Sequence, residues 1–222
     1  ALEELSPAWR WKTEAYVTQP VRDGRLAGDL YIKGYGDPYL VIEHFWRLLR
    51  ALRAAGLETI DGNLVLDQSH FAREAGDAAD FDNQPLRAYN VLPNALLVNF
   101  QAVNFRFIPQ LSAQRVQIIA DPLPANVVLE NRMVLADAAC RGWAHRLGMK
   151  VRHEKDRTRV VFSGTYDAGC GNNELFRVVS EPAPYILGLF RLLWAELGGR
   201  FEGNVREGTG PAEAALFHAS YS

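Results

Sequence analysis

The 222-residue sequence predicts an α+β fold, an antiparallel sheet with helices on one face, interrupted by an inserted all-β domain. Three observations carry this expectation. Segments 11–18 and 28–33 alternate apolar and polar residues and are joined by an Asp-Gly turn signal. Two helix-length segments, 38–55 and 185–197, lie in the first and last thirds of the chain. Between them, the stretch that ends at Val179 is built of short strand-like segments. The expected organisation is a discontinuous α+β domain at 1–88 and 180–215, a β domain at 89–179, and a tail at 216–222 that leads onward.

Residues 1–5 read as the tail of a helix. Along 11–18, Trp11, Thr13, Ala15 and Val17 alternate with Lys12, Glu14 and Tyr16, the period of a half-buried strand. Val21-Arg22-Asp23-Gly24 turns the chain into a second strand through Leu30 and Ile32, giving a hairpin. Gly34 and Gly36 permit a sharp bend, Asp37 is a candidate N-cap, and Pro38 suits the first helical position. In the helix, Ile42, Phe45, Leu48, Leu49 and Leu52 fall on one face, and Gly56 supplies the stop. Segment 59–67 reads as one strand with Leu64 and Leu66 inward, and 71–88 as a polar loop. In 95–108 the apolar face switches near 101–103, predicting two strands or one bulged strand. Further strands are expected at 116–120, 127–129, 133–136, 151–154 and 160–165, with a hairpin turn at Lys155-Asp156-Arg157-Thr158. Ser180 can cap a helix whose second residue is Pro182, ended by Gly198-Gly199. Segment 201–205 alternates as a strand, 207–215 is loop, and 216–222 begins another strand.

Composition narrows the function classes. A net charge of −2 without a basic stripe makes no electrostatic case for nucleic acid. No apolar run reaches the roughly 20 residues of a membrane span. The first residues carry neither a basic nor an apolar segment, so no signal peptide is expected. No histidine stands at ligand spacing from Cys140 or Cys170, so no metal site and no cofactor are expected. The two cysteines are either a disulfide closing a loop of about 30 residues, adding roughly 3 kcal/mol on the chain-entropy model, or two buried thiols.

The chemical motifs are sparse. Gly34-x-Gly36 is not a dinucleotide loop, because a third glycine is missing where Tyr39 stands. Asp67, Ser69 and His70 have the residue types of a triad, but neighbours at a strand end are poorly placed to orient one another. Asp77, Asp80 and Asp82 lie in a polar loop where solvation is their simplest role. Arg152, Lys155, Arg157 and Arg159 form a basic hairpin tip, either a contact for an acidic polymer or a solvated turn.

Several stretches together resemble the class C low-molecular-mass penicillin-binding proteins, the serine D-alanyl-D-alanine carboxypeptidase/endopeptidases. They are Leu5-Ser6-Pro7-Ala8-Trp9-Arg10-Trp11-Lys12-Thr13, Gly28-Asp29-Leu30-Tyr31-Ile32-Lys33-Gly34 with Gly36-Asp37-Pro38, Tyr89-Asn90-Val91-Leu92-Pro93-Asn94-Ala95-Leu96-Leu97-Val98-Asn99-Phe100, and Leu216-Phe217-His218-Ala219-Ser220. In that family a penicilloyl-serine transferase domain is split by a long insertion, with S-x-x-K before it and S-x-N and K-T-G after it. Here no serine has lysine three residues on or asparagine two residues on, and Lys12-Thr13-Glu14 fails K-T-G at its last position. The resemblance therefore implies the accessory insertion alone, with no catalytic residue in this chain and 216–222 starting the return to the catalytic domain. It further implies a periplasmic or secreted setting, a Cys140–Cys170 disulfide, and Tyr89 as the residue that touches the stem peptide. The implied partners are peptidoglycan peptides, with β-lactams bound only alongside the catalytic domain. The alternative is a non-catalytic module that binds cell wall or protein.

Overall fold

The computed structural model describes residues 9–72 and 76–222, so the expected helix at 1–5 lies outside the described residues. In chain order it contains β1 (Lys12–Val17), β2 (Arg25–Leu26), β3 (Leu30–Gly34), α1 (Ile42–Ala54), β4 (Thr59–Ile60), β5 (Leu64–Asp67), β6 (Ala102–Gln110), β7 (Arg115–Asp121), β8 (Val127–Ala136), β9 (Leu147–His153), β10 (Thr158–Asp167), β11 (Asn173–Val178), α2 (Pro182–Glu196), β12 (Arg200–Phe201), β13 (Val205–Glu207) and β14 (Ala215–Tyr221). The fold is α+β. Two compact units form: one from the residues up to Asp77 with Leu92–Phe100 and Pro182–Ser222, the other from Ala78–Val91 with Gln101–Glu181.

The first unit is organised on a five-stranded sheet of order β13-β5-β3-β1-β14. β1 pairs antiparallel with β3 and with β14, as the alternation at 11–18 and 28–33 leads one to expect. The sheet is mixed, however, where an antiparallel one was expected: β3–β5 and β5–β13 are parallel. The reason lies in the connections. α1 returns the chain from the end of β3 to the starting end of the sheet, so β5 runs parallel to β3; after the second unit's strands, α2 leads through β12 to β13, which pairs parallel with β5. A small parallel sheet, β12-β4-β2, forms beside it in the same unit.

Segment 59–67 holds two strands because Asp61, Gly62 and Asn63 break it. Asp61 N–H bonds Leu26 O while Leu64 N–H bonds Asn204 O, so the two ends serve different sheets. Likewise 201–205 is divided between β12 and β13. The Asp23-Gly24 turn is present, with both residues at positive φ and Arg22 and Arg25 exchanging two backbone hydrogen bonds.

The helix termini show which sequence signals decide an end. α1 stops in a Schellman motif: Gly56 N–H bonds Arg53 O and Leu57 N–H bonds Leu52 O, with Gly56 at φ 93°. α2 stops the same way, Gly198 N–H on Ala195 O and Gly199 N–H on Trp194 O. The starts do not follow the sequence. Asp37 does not cap α1; its carboxylate accepts from Tyr39 N–H and Ser222 Oγ, and the helix begins only at Ile42. The acceptor for Ile42 N–H is Asn99 Oδ1, 57 residues away in sequence. Pro182 is the first residue of α2, and the buried Ser180 hydroxyl makes no hydrogen bond. Asn99, Phe100 and Gln101 all have positive φ, so no strand forms before β6 and the two-strand reading of 95–108 is corrected.

The second unit is built from two three-stranded sheets, β8-β10-β9 and β11-β6-β7. Buried rings of β6 and β10 meet: Phe105 and Phe107 each contact Phe162 edge-on at 4.9 and 5.1 Å, and Phe107 stacks on Tyr166 at 6.0 Å. β8 is one strand where two were expected; it pairs parallel with β10 from Val127 to Ala136. Its polar centre does not break the ladder, because Asn131 donates to Val116 O and Glu130 and Arg132 face solvent as an ion pair. β11 was missed entirely. The turn after β9 is as expected, with Glu154 N–H on Arg157 O.

Cys140 and Cys170 form a disulfide. Around it, Gly169 N–H bonds Ala138 O, and the buried Asp167 accepts from Arg141 and Arg146. The Arg141 hydrogen bond leads in holding the Asp167 carboxyl below its ordinary range. The division of the chain also differs from the expected boundaries. Residues 78–91 belong to the second unit, where Val178 N–H bonds Leu86 O. Residues 92–100 belong to the first, where Gly36 N–H bonds Ala95 O and Asn99 N–H bonds Leu40 O. Segment 216–222 is included in the first unit, its strand β14 paired along β1.

Candidate functional site

Tyr89 sits in a single turn of 3-10 helix, Ala88–Asn90, at the end of the loop that opens the second unit. The loop is shaped by Asp82. Its Oδ1 accepts from Gln84 N–H at 3.0 Å and from Asn90 Nδ2 at 2.7 Å, and its Oδ2 accepts the Tyr89 hydroxyl at 2.5 Å. An Asp accepting from the backbone two residues on is the Asx turn that such residues favour. Asn90 is buried and also bonds Gln84 O, which fixes the turn from inside.

The Tyr89 ring remains 60% exposed and the adjacent Phe81 ring 85%. They meet edge-on at 6.5 Å, and the Arg87 guanidinium lies 5.5 Å over Tyr89. The hydrogen bond from Tyr89 is the leading cause that holds Asp82 below the usual carboxylate range, and the same bond raises the Tyr89 hydroxyl. Arg177, on β11, donates to Phe176 O. Burial and the Arg87 charge lower its guanidinium from the ordinary value. The patch therefore presents two exposed rings and a cation. It offers apolar ring faces beside a positive charge.

The triad-like residues do not form a relay. Asp67 is 4% exposed and accepts both the backbone N–H and the hydroxyl of Ser69 at Oδ1. Its Oδ2 accepts Gly210 N–H and lies 3.4 Å from Lys33 Nζ. The Ser69 proton is thus directed to the carboxylate, and His70 packs against Tyr35 and Phe71 instead.

A second polar cluster escaped the sequence reading. Glu14 is 6% exposed on β1 and accepts hydrogen bonds from Tyr35, from Tyr16 at 2.8 Å and from Lys12 at 3.1 Å. Burial pushes its carboxyl up, but the bonds from Tyr35, Tyr16 and Lys12 outweigh it and the net shift is downward. Tyr35 is pushed up to about 12 by burial and by the same carboxylate. The placement of Lys12, Glu14 and Tyr16 on one side of β1 was legible. The burial of Glu14 between the half-buried Lys12 and Tyr16 was not, because Tyr35, which donates to it, lies beyond the next strand.

Elsewhere in the first unit, Ile42, Glu43, Trp46, Arg47 and Leu193 line a shallow cleft of about 380 Å³. Among the described residues no group of three or more His, Cys, Asp or Glu side chains is placed so that it could hold a metal ion, and no helix is long and apolar enough to cross a membrane.

Comparison with known proteins completes the description. The model of the D-Ala-D-Ala carboxypeptidase 3 (S13) family matches residues 1–222. A D-alanyl-D-alanine carboxypeptidase of Actinomadura sp. (strain R39) is 29% identical over 218 residues, which is 96% of this chain and 40% of that protein. The D-alanyl-D-alanine carboxypeptidase DacB of Haemophilus influenzae is 32% identical over 68 residues, 31% of this chain and 14% of that one. Among solved structures, penicillin binding protein 4 (dacB) of Haemophilus influenzae superposes with a TM-score of 0.69 at 21% identity, over 96% of this chain and 46% of its own. The same protein in complex with a β-lactam gives 0.65 at 20% identity, over 100% and 46%. The chain thus spans less than half the length of these relatives. Matched by the family model from its first residue to its last, it belongs to the D-Ala-D-Ala carboxypeptidase 3 (S13) family, among the low-molecular-mass penicillin-binding proteins.

Proposed function

We propose that this chain is the accessory-domain portion of a serine D-alanyl-D-alanine carboxypeptidase/endopeptidase that acts on peptidoglycan stem peptides in the periplasm or outside the cell. The observation that carries the reading is a conjunction: the family model matches the whole chain, while the sequence holds none of S-x-x-K, S-x-N or K-T-G. In this reading the second unit is a β domain inserted into the α+β domain, and neither performs acyl transfer alone. The disulfide fits an oxidising compartment. Segment 216–222, which forms most of β14, starts the return to the catalytic domain, and β-lactams bind only when that domain is present.

Tyr89 contacts the stem peptide in the complete enzyme. Its support is the exposed ring, held in one orientation by Asp82 and flanked by Phe81 and Arg87. In the complete enzyme, Tyr89→Ala is expected to raise KM for a stem peptide about tenfold, the loss of one aromatic contact of about 1.4 kcal/mol. Labelling by a penicillin too small to reach the patch is expected to persist. An unchanged KM removes Tyr89 from the binding surface.

The decisive experiment is covalent labelling with a fluorescent penicillin, on this chain and on one extended at both ends. The short chain is expected to stay dark and the long one to label. A labelled short chain would mean that it carries a nucleophile of its own. Failure of both would favour a non-catalytic wall- or protein-binding module.

A further inference from the structure

The outer face of the β8-β10-β9 sheet carries a cation cluster that the peptidase reading does not use. Arg152 on β9 stands directly opposite Arg159 on β10, and Lys150 opposite Val161. On the other side Glu130 and Arg132 of β8 stand opposite Val161 and Ser163. These residues alternate along their strands with the buried Val160 and Phe162 and with Val151, so they share the face turned away from the core. The turn between β9 and β10 adds Lys155 and Arg157.

Local charge here opposes that of the chain. Six cations, Arg132, Lys150, Arg152, Lys155, Arg157 and Arg159, stand with three carboxylates, Glu130, Glu154 and Asp156, in a protein of net charge −2. Two of the three carboxylates are already engaged: Glu130 pairs with Arg132 at 2.6 Å and Arg159 at 3.9 Å, and Glu154 with Arg159 at 2.9 Å and Arg157 at 3.9 Å. Among the described residues, Lys150, Arg152 and Lys155 have no salt bridge.

Arg152 stands directly across from Arg159, and the repulsion between them is offset by Glu154 and Glu130, which lie 2.9 and 3.9 Å from the Arg159 guanidinium. Lys150 and Arg152 on the edge strand β9 also discourage pairing with another sheet, a role that cations fill in many proteins. The cations left without a carboxylate, Lys150, Arg152 and Lys155, complement a partner of the opposite sign. The geometry points to this face as a docking surface for a carboxylate-bearing polymer, the acidic peptide stems of the cell wall. The guanidinium fork of Arg152, which makes no salt bridge among the described residues, matches a planar carboxylate. Lys150 lies two residues along β9 from Arg152, about 7 Å away, so a flexible polymer meets the cations in succession. Each exposed contact is weak, and several together retain the polymer. The sign of the partner follows from the charges alone; the wall as its source rests on the proposed function.

The test is co-sedimentation of the whole chain with insoluble peptidoglycan, native or with its carboxylates converted to amides. The chain is expected to pellet with native material, to be released as salt rises from 0.1 to 1 M and the screening length falls from about 10 to 3 Å, and to stay in solution with amidated material. K150A/R152A is expected to bind about thirtyfold more weakly, roughly fivefold per cation. R22A/R50A, which removes the same charge from the first unit, should bind as the parent does; circular dichroism checks that both variants fold. Equal pelleting of K150A/R152A, or of amidated peptidoglycan, overturns the proposal. So does competition by polyphosphate where polyglutamate fails, or a K150A/R152A variant that self-associates yet binds as before, which would leave only edge protection. Penicillin labelling of the extended chain is a separate readout, so loss of the docking face and loss of the peptidase reading are distinguishable.

Discussion

Replacing both cysteines, C140A/C170A, removes a crosslink that closes a loop with a sequence separation of 30, within which lie all of β9 and β10. The chain-entropy relation gives about 3.6 kcal/mol of destabilisation for a loop of this size at 25 °C. The cost should fall on the second unit, whose Phe105–Phe162–Phe107 contacts depend on β10 being held in register. With a urea m-value of about 1–1.5 kcal/mol per M for a unit of this size, its midpoint should drop by about 2–4 M. Hydrogen exchange of the β10 amides against urea reads this unit separately from the first, whose exchange in β1 and β3 should stay where it was. A drop below about 1 kcal/mol at β10 would show that the reduced loop is already constrained in the unfolded chain. An equal drop in both units would refute the assignment of the crosslink to one of them.

Other outcomes follow from the same structure. Phe162→Ala empties the centre of the aromatic cluster and should cost about 3–5 kcal/mol by urea unfolding, because Phe105 and Phe107 lose a shared edge-on partner. The first unit should lose stability in acid. Glu14, Asp29 and Asp67 all have folded pKa values below their ordinary 4.5, 3.8 and 3.8, so the unfolded chain binds more protons as pH falls. Their contribution is complete above about pH 5 and disappears as pH falls through the folded values; Glu14→Gln, which cannot titrate, should flatten the profile measured by urea midpoints between pH 7 and 3. Gly34→Ala should destabilise by at least about 2 kcal/mol or fail to fold, since a Cβ there would meet the Ala95 carbonyl oxygen at 2.1 Å.

What the sequence determined by itself was everything governed by neighbours in the chain. Alternation at 11–18 and 28–33 identified the β1–β3 hairpin. Gly56 and Gly198-Gly199 ended both helices, because a Schellman motif needs only the last turn and a residue tolerant of positive φ. Family membership was also legible, since it rests on residue identities in order. Tertiary structure decided whatever depended on distant partners. Asp37 lost the cap of α1 to Asn99, which reaches Ile42 from 57 residues away. The sheet became mixed because α1 carries the chain back before β5 pairs with β3, and β13 then adds parallel to β5. Glu14 is polar by sequence and buried in fact, because Tyr35 and Tyr16 satisfy it where no water need enter. The candidate site divides the same way. Tyr89 was singled out by the family resemblance, while the orientation of its ring comes from Asp82. The facing of Arg152 against Arg159 exists only because two strands pair in one register and no other.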